Sequence, residues 1–145
     1  MQARLNFFHH GREAMQAMAG LETRIAQSGL EPALLELVRL RASQINGCAY
    51  CLDRHTSDAL KAGESARRLG TLPAWRESPF FDERERAALE WTEALTLVAA
   101  RGVTDEVWER VHPHFDEGEL VDLTLAINTV NAWNRFAIGF RKLPV

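Results

Sequence analysis

Residues 36–55 read ELVRLRASQINGCAYCLDRH and contain both cysteines of the chain, Cys48 and Cys51, three positions apart. Glu36 precedes the pair by twelve residues and His55 follows it by four. Each residue of a helix advances by about 100°, so Cys48, Cys51 and His55 would fall within an arc of about 60° on one helix face. The spacing therefore predicts that two thiols and an imidazole share one patch.

The apolar pattern around this stretch is helical. Nothing alternates with the period of a strand, whereas apolar residues recur at intervals of three and four and several segments carry helix caps. The turn Asn46-Gly47 should fold two helices back on one another as an antiparallel pair. Residues 64–81 contain two prolines and are expected to form an irregular connection with one short helical turn. We predict an all-α fold with helices over about residues 10–27, 32–44, 48–61, 82–101, 104–112 and 117–140.

Length and charge narrow the class of protein. A chain of 145 residues can bury a core in one domain, so residues 1–145 are predicted to form a single domain. A net charge of -3, with acidic and basic residues mixed, gives no basic stripe for a nucleic acid. The first ten residues lack the apolar run of a signal peptide and no stretch is long enough to span a membrane, so we expect a cytoplasmic protein. In a reducing cytosol, two close cysteines are more often catalytic or metal-binding than structural.

The residues around the cysteines suit thiol chemistry. A thiol attacks as its thiolate, which requires a neighbouring base or a stabilising positive charge. The start of the helix supplies such a charge, His55 lies one turn beyond Cys51 and can accept its proton, and Glu36 on the preceding helix can orient the imidazole. The spacing of three also places the Cα atoms within the range of about 4.4 to 6.8 Å that a disulfide tolerates. We predict Glu36, Cys48, Cys51 and His55 as catalytic residues, with no cofactor and no bound metal.

The order of these four residues resembles a known motif. The motif resembles the signature of alkyl hydroperoxidase D (AhpD), in the carboxymuconolactone decarboxylase-like superfamily. In this chain it consists of Glu36, eleven residues, Cys48, two residues, Cys51, three residues and His55. The similarity includes residues 46–48, 62–64 and 131–135. The resemblance implies an AhpD-like helical domain that carries the CxxC site on its antiparallel helix pair. It also implies an obligate homo-oligomer, either a trimer or a hexamer.

The resemblance further implies a role for each site residue. Cys51 would attack a hydroperoxide substrate, Cys48 would act as resolving thiol and disulfide-exchange partner, and Glu36 with His55 would relay protons. A dithiol, such as a lipoyl-bearing or thioredoxin-like protein, would reduce the disulfide again. The better-studied hydroperoxidases have a second histidine between the cysteines, where this chain has Tyr50. Decarboxylases of the superfamily lack the cysteine pair, so lactone decarboxylation is not expected.

Other interpretations of the same residues remain open. The cysteines can be a redox or stress sensor, or a disulfide oxidoreductase of this fold, without efficient peroxide turnover. They can also be buried small hydrophobes, or zinc ligands together with His55 and with His112 or His114. The last helix is too apolar for one buried stripe, so part of it or of its neighbours is predicted to lie in a subunit interface, with Trp133 as a candidate.

Overall fold

The computed structural model describes all residues from 1 to 145, and it consists of helices joined by turns, as predicted. Two 3-10 turns, Leu72–Ala74 and His112–His114, supplement the α-helices. No helix combines the length and the apolar character that crossing a bilayer requires. The helices are α1 (Phe7–His10), α2 (Arg12–Ala26), α3 (Pro32–Asn46), α4 (Ala49–Lys61), α5 (Ala66–Thr71), α6 (Glu83–Thr96), α7 (Val98–Arg101), α8 (Asp105–Val111) and α9 (Glu117–Gly139).

Helix α3 is the centre of the domain, because α4, α6 and α9 all pack against it. Its leucines and its valine are almost completely buried. Full burial of one such side chain stabilises the fold by about 1.5 to 3 kcal/mol relative to exposure. The largest apolar cluster joins α3 to α6 and α9 and includes Leu35, Val38, Ala88, Trp91, Leu123 and Ile127. The site residues on α3 are therefore held by the best-packed element of the protein.

The polar residues before α6 and α9 define where these helices begin. The Asp82 side chain accepts a hydrogen bond from the backbone N–H of Glu85, and the Glu85 side chain accepts one from the backbone N–H of Asp82. Asp116 and Glu119 make the same reciprocal pair at the start of α9. Both capping boxes satisfy backbone N–H groups that the first turn leaves without partners. The predicted starts of these two helices are confirmed.

Two predicted boundaries are wrong. The helix over 82–101 breaks at Leu97, where the backbone leaves helical geometry and α7 begins as a separate turn. The first helix starts at Arg12, because Gly11 separates it from the unpredicted α1. The connection 64–81 contains the expected short helical turn, which is α5, and in addition a 3-10 turn. Ser65 caps α5 by accepting hydrogen bonds from two backbone N–H groups.

The turn between α3 and α4 places the cysteines. Gly47 ends α3 with φ 69°, in the left-handed region that glycine adopts without steric cost. The backbone N–H of Cys48 donates to the carbonyl oxygen of Ser43 at 3.0 Å. Cys48 then caps the N-terminus of α4, which starts at the next residue. The predicted helix pair is therefore connected by two residues.

Candidate redox-active site

Cys48 and Cys51 form a disulfide at the start of α4. Their Cα atoms are 5.3 Å apart, within the range predicted from the spacing. Cys48 Sγ also accepts a hydrogen bond from the backbone N–H of Cys51 at 3.3 Å. Both residues are buried, with 1% of Cys48 and 4% of Cys51 exposed. The first turn of α4 is thus closed covalently and capped by a sulfur atom.

Polar side chains of α9 tie this turn to the rest of the domain. The Asn46 amide donates to the side-chain oxygens of Asn131 and Asn134, each at 2.9 Å. Asn134 in turn donates to Ser43 Oγ at 3.0 Å. Ala137, one turn further along α9, forms one buried cluster with the two cysteines. The asparagines of the apolar last helix therefore have structural partners, and they fix the turn from which the cysteines project.

Glu36 and His55 meet across the helix pair. The Nδ1–H of His55, on α4, donates to Glu36 Oε2, on α3, at 3.0 Å. A carboxylate oxygen can only accept, so this bond places the proton of a neutral His55 on Nδ1. The other ring nitrogen, Nε2, then keeps its lone pair. The pair provides an imidazole that can accept a proton and a carboxylate that stabilises the resulting positive charge.

Arg39 holds the second oxygen of the same carboxylate. Its Nη1 donates to Glu36 Oε1 at 2.8 Å and its Nη2 donates to Glu22 Oε2 at 3.0 Å. Trp133 Nε1 donates to the remaining oxygen of Glu22, also at 3.0 Å. Charge-assisted hydrogen bonds of this kind are shorter and stronger than neutral ones. A continuous chain of contacts therefore runs from His55 through Glu36, Arg39 and Glu22 to Trp133, and it joins four helices.

The pKa of Glu36 is lowered from its usual value. Burial raises the pKa of this carboxyl, but the hydrogen bond from His55 and the positive charges of His55 and Arg39 together outweigh burial. Glu36 is consequently a carboxylate throughout the neutral range.

A cavity of about 710 Å³ lies against this arrangement. Cys51, Glu36 and His55 all border it, whereas Cys48 does not. Aromatic and apolar side chains form much of the remaining wall, with Phe8, Met15, Tyr50 and Trp133 among them. Of the two cysteines, Cys51 is therefore the one that borders an open space large enough for an organic molecule.

The structure brings the four predicted site residues into one region. Glu36, Cys51 and His55 border the cavity, and Cys48 is buried in a cluster with Cys51 and Ala137 of α9. Sequence reasoning missed Arg39 and Glu22 and assigned Trp133 to an interface. Arg39 had a local signal, because it lies three residues after Glu36 on the same helix. Glu22 and Trp133 had none, since their positions depend on how distant helices pack.

The zinc interpretation finds no support in the positions of the side chains. No group of three or more His, Cys, Asp or Glu residues is arranged to hold a metal ion. His112 stacks on Trp108 and its Nδ1–H donates to the Trp108 carbonyl oxygen at 2.9 Å. His112 also borders a second cavity, on the outer face of α9, which contains neither cysteine. His112 therefore caps the C-terminal end of α8, where its ring N–H can donate to the Trp108 carbonyl oxygen in the last turn of the helix.

Comparison with known sequences decides the family. A sequence model of the carboxymuconolactone decarboxylase family matches residues 12–94, a segment that contains Glu36, both cysteines and His55. The chain belongs to this family. It is 44% identical over 139 residues to the uncharacterized protein YdfG of Bacillus subtilis, covering 96% of this chain and 95% of YdfG. It is 34% identical over 110 residues to the uncharacterized protein YnjA of Escherichia coli, covering 76% of this chain and 60% of YnjA.

Solved structures place this family member in the AhpD-like fold. The Agrobacterium tumefaciens protein ATU0492, of unknown function and described as a candidate antioxidant defence protein AhpD, superposes with a TM-score of 0.95 at 41% identity over 99% of both chains. The debrominase Bmp8 superposes with a TM-score of 0.85 at 19% identity, over 94% of this chain and 74% of Bmp8. At that identity the likeness to Bmp8 shows the fold alone. The AhpD-like fold predicted from the cysteine motif is confirmed.

Proposed function

We propose that this protein is a thiol-dependent peroxidase that reduces organic hydroperoxides and cycles between a dithiol and the Cys48–Cys51 disulfide. The observation that supports this most directly is the cavity, which brings Cys51 together with the hydrogen-bonded pair of Glu36 and His55. Membership of a family whose fold includes AhpD-like proteins is consistent with the proposal.

The first half-reaction oxidises Cys51. His55 Nε2 accepts the thiol proton, and the resulting thiolate attacks the terminal oxygen of the hydroperoxide. The O–O bond breaks, and the leaving alkoxide takes a proton from His55 and departs as an alcohol. Sulfur loses two electrons and becomes a sulfenic acid. Glu36 stabilises the imidazolium that exists between the two proton transfers, in the way that a carboxylate orients a catalytic histidine.

The second half-reaction closes the disulfide. The thiolate of Cys48 attacks the oxidised sulfur of Cys51 and the S–O bond breaks. The departing hydroxide takes up the proton that Cys48 gave away and leaves as water. An external dithiol then reduces the disulfide and is itself oxidised. Tyr50 borders the cavity but a phenol is a poor base near neutral pH, so the proton transfers fall to His55 and Glu36.

Turnover with purified protein tests the proposal. The protein should convert cumene hydroperoxide to its alcohol continuously when dihydrolipoamide is supplied. Cys51→Ser should abolish the reaction, because no thiol then borders the cavity. Cys48→Ser should reduce one equivalent of hydroperoxide and stop at the sulfenic acid, which a dimedone adduct would reveal. Full activity of Cys51→Ser would overturn the mechanism.

A sensor would behave differently in the same experiment. Wild-type protein would consume one equivalent of hydroperoxide, form the disulfide and show no sustained turnover with any dithiol. That result would replace the enzyme by a stoichiometric redox sensor built on the same residues.

A further inference from the structure

The two sulfurs of the disulfide differ in access. Cys51 borders the cavity, whereas Cys48 does not border it and is only 1% exposed, in a buried cluster with Cys51 and Ala137 of α9. Thiol–disulfide exchange requires an incoming thiolate to reach one sulfur, and its rate depends on which sulfur can be reached. In this fold, a molecule that enters the cavity meets Cys51 first. The Asn46, Asn131 and Asn134 hydrogen bonds hold α9 against the turn and keep Cys48 covered.

The covered sulfur is also the better placed to carry negative charge. Cys48 is the N-cap of α4, a helix of 13 residues, and its Sγ accepts the backbone N–H of Cys51. Unpaired N–H groups and the helix dipole favour an anion at that position. In exchange reactions, a sulfur whose thiolate is stabilised leaves faster. Access and leaving ability therefore point to the same direction of attack.

We propose that the reductant attacks Cys51, the same sulfur that the hydroperoxide oxidises, and that Cys48 is the leaving thiolate. The inference rests on the proposed function only in taking the disulfide as the oxidised state of the cycle. It differs from the expectation drawn from the family resemblance, in which Cys48 is the disulfide-exchange partner.

The step balances as an ordinary exchange. A thiolate of an external dithiol forms a bond to Cys51 Sγ, the Cys48–Cys51 bond breaks, and its electron pair goes to Cys48 Sγ. The second thiol of the reductant, after losing its proton, attacks the reductant's own sulfur in this mixed disulfide. Cys51 is released as a thiolate that takes up a proton, and the reductant leaves as a disulfide. Two electrons pass from the dithiol to the protein.

One consequence is that both half-reactions use a single cavity. Hydroperoxide and reductant cannot be bound against Cys51 together, so the two substrates should follow ping-pong kinetics. High hydroperoxide concentrations should also slow the reaction by occupying the cavity of the oxidised protein.

Single-cysteine variants test the direction of attack without any peroxide. Reduced Cys48→Ser and reduced Cys51→Ser are mixed with 5,5′-dithiobis(2-nitrobenzoate) at pH 8, and release of the coloured thiolate is followed by stopped flow. We expect the Cys51 thiol to react at least 100-fold faster than the Cys48 thiol. In guanidinium chloride the two rates should become equal within a few-fold, which shows that the fold causes the difference. A Cys48 thiol that reacts as fast as Cys51 in the folded protein would overturn the inference.

The wild-type disulfide provides a second measurement that depends on neither variant. Oxidised protein is treated with glutathione, quenched in acid, unfolded and alkylated, and the tryptic peptide that holds both cysteines is fragmented. Glutathione is expected on Cys51 and the alkyl group on Cys48; the reverse arrangement contradicts the proposal. Because neither experiment uses hydroperoxide, exchange at Cys51 in a protein that lacks peroxidase turnover would leave this inference intact and remove only the proposed function.

Discussion

Glu36 is the residue on which the proposed proton relay depends, because its two oxygens accept hydrogen bonds from Arg39 and His55. Glu36→Gln keeps the shape of the side chain and removes the charge that stabilises the His55 imidazolium. Loss of general acid–base assistance costs about 10² to 10⁴ in rate. We expect kcat/KM for cumene hydroperoxide to fall by about 10²-fold. Glu83→Gln is the matched control, since the Glu83 side chain is 83% exposed and should leave kcat/KM unchanged. Equal activity of the two variants would refute the relay.

The lowered pKa of Glu36 also predicts how stability changes with acid. A carboxyl whose pKa is lower in the folded than in the unfolded protein stabilises the fold above its usual value of 4.5, and this contribution disappears as the pH falls through the folded-state pKa. Wild-type protein should therefore lose more stability between pH 6 and pH 3 than Glu36→Gln does. Urea unfolding at the two pH values measures both losses. Parallel losses in the two proteins would show that Glu36 carries no such linkage.

Whether a site residue could be predicted depends on how far apart in sequence it and its contact partner lie. Glu36 and His55 were predictable, because a two-residue turn between two helices forces positions near their facing sides together. Arg39 was within reach of the same reasoning. The hydrogen bond from Trp133 to Glu22 joins residues 111 positions apart and was not predictable. It exists because α2 and α9 happen to pack side by side, which depends on the whole core.

At the level of helices, the turn between α3 and α4 requires a residue in the left-handed backbone conformation, and that residue is Gly47. Gly47 has φ 69° and no atom near the position of a Cβ, so replacement by alanine adds backbone strain without a clash. We expect Gly47→Ala to destabilise the protein by about 1 to 2 kcal/mol. Gly20→Ala is the control, because Gly20 lies inside α2 with open space around it and alanine should stabilise a helix interior by about 0.5 to 1 kcal/mol. Opposite signs in urea unfolding check the argument, and a neutral Gly47→Ala would contradict it.

Helix starts were predictable and one helix end was not, for a physical reason. The starts of α6 and α9 could be predicted because each has a capping box, formed by side chains only three residues apart: Asp82 with Glu85, and Asp116 with Glu119. The break at Leu97 has neither glycine nor proline. Leu97 N–H still donates to Glu93, and the chain then changes direction into α7. Local sequence favours helix across this point, so the surrounding packing must determine the break.

For the whole molecule, the apolar surface of α9 is the feature that a single chain leaves unexplained. Val121, near the start of α9, is 70% exposed, and it borders a second cavity of about 660 Å³ with Trp91, Trp108 and Leu125. Exposed apolar patches rimmed by polar groups are typical of protein interfaces. The homo-oligomer implied by the family resemblance therefore remains our prediction, and this face of α9 is its candidate interface.

Light scattering after size-exclusion chromatography tests that assembly. Wild-type protein at micromolar concentration should elute as a trimer or a hexamer, and Val121→Glu should shift it to a smaller species, because a charge buried between subunits without a partner is costly. Val98→Glu is the control, since Val98 is 53% exposed on α7 and does not border the cavity. A monomeric wild type would refute the oligomer. An oligomer that tolerates Val121→Glu would keep the assembly but place its interface elsewhere than on this face of α9.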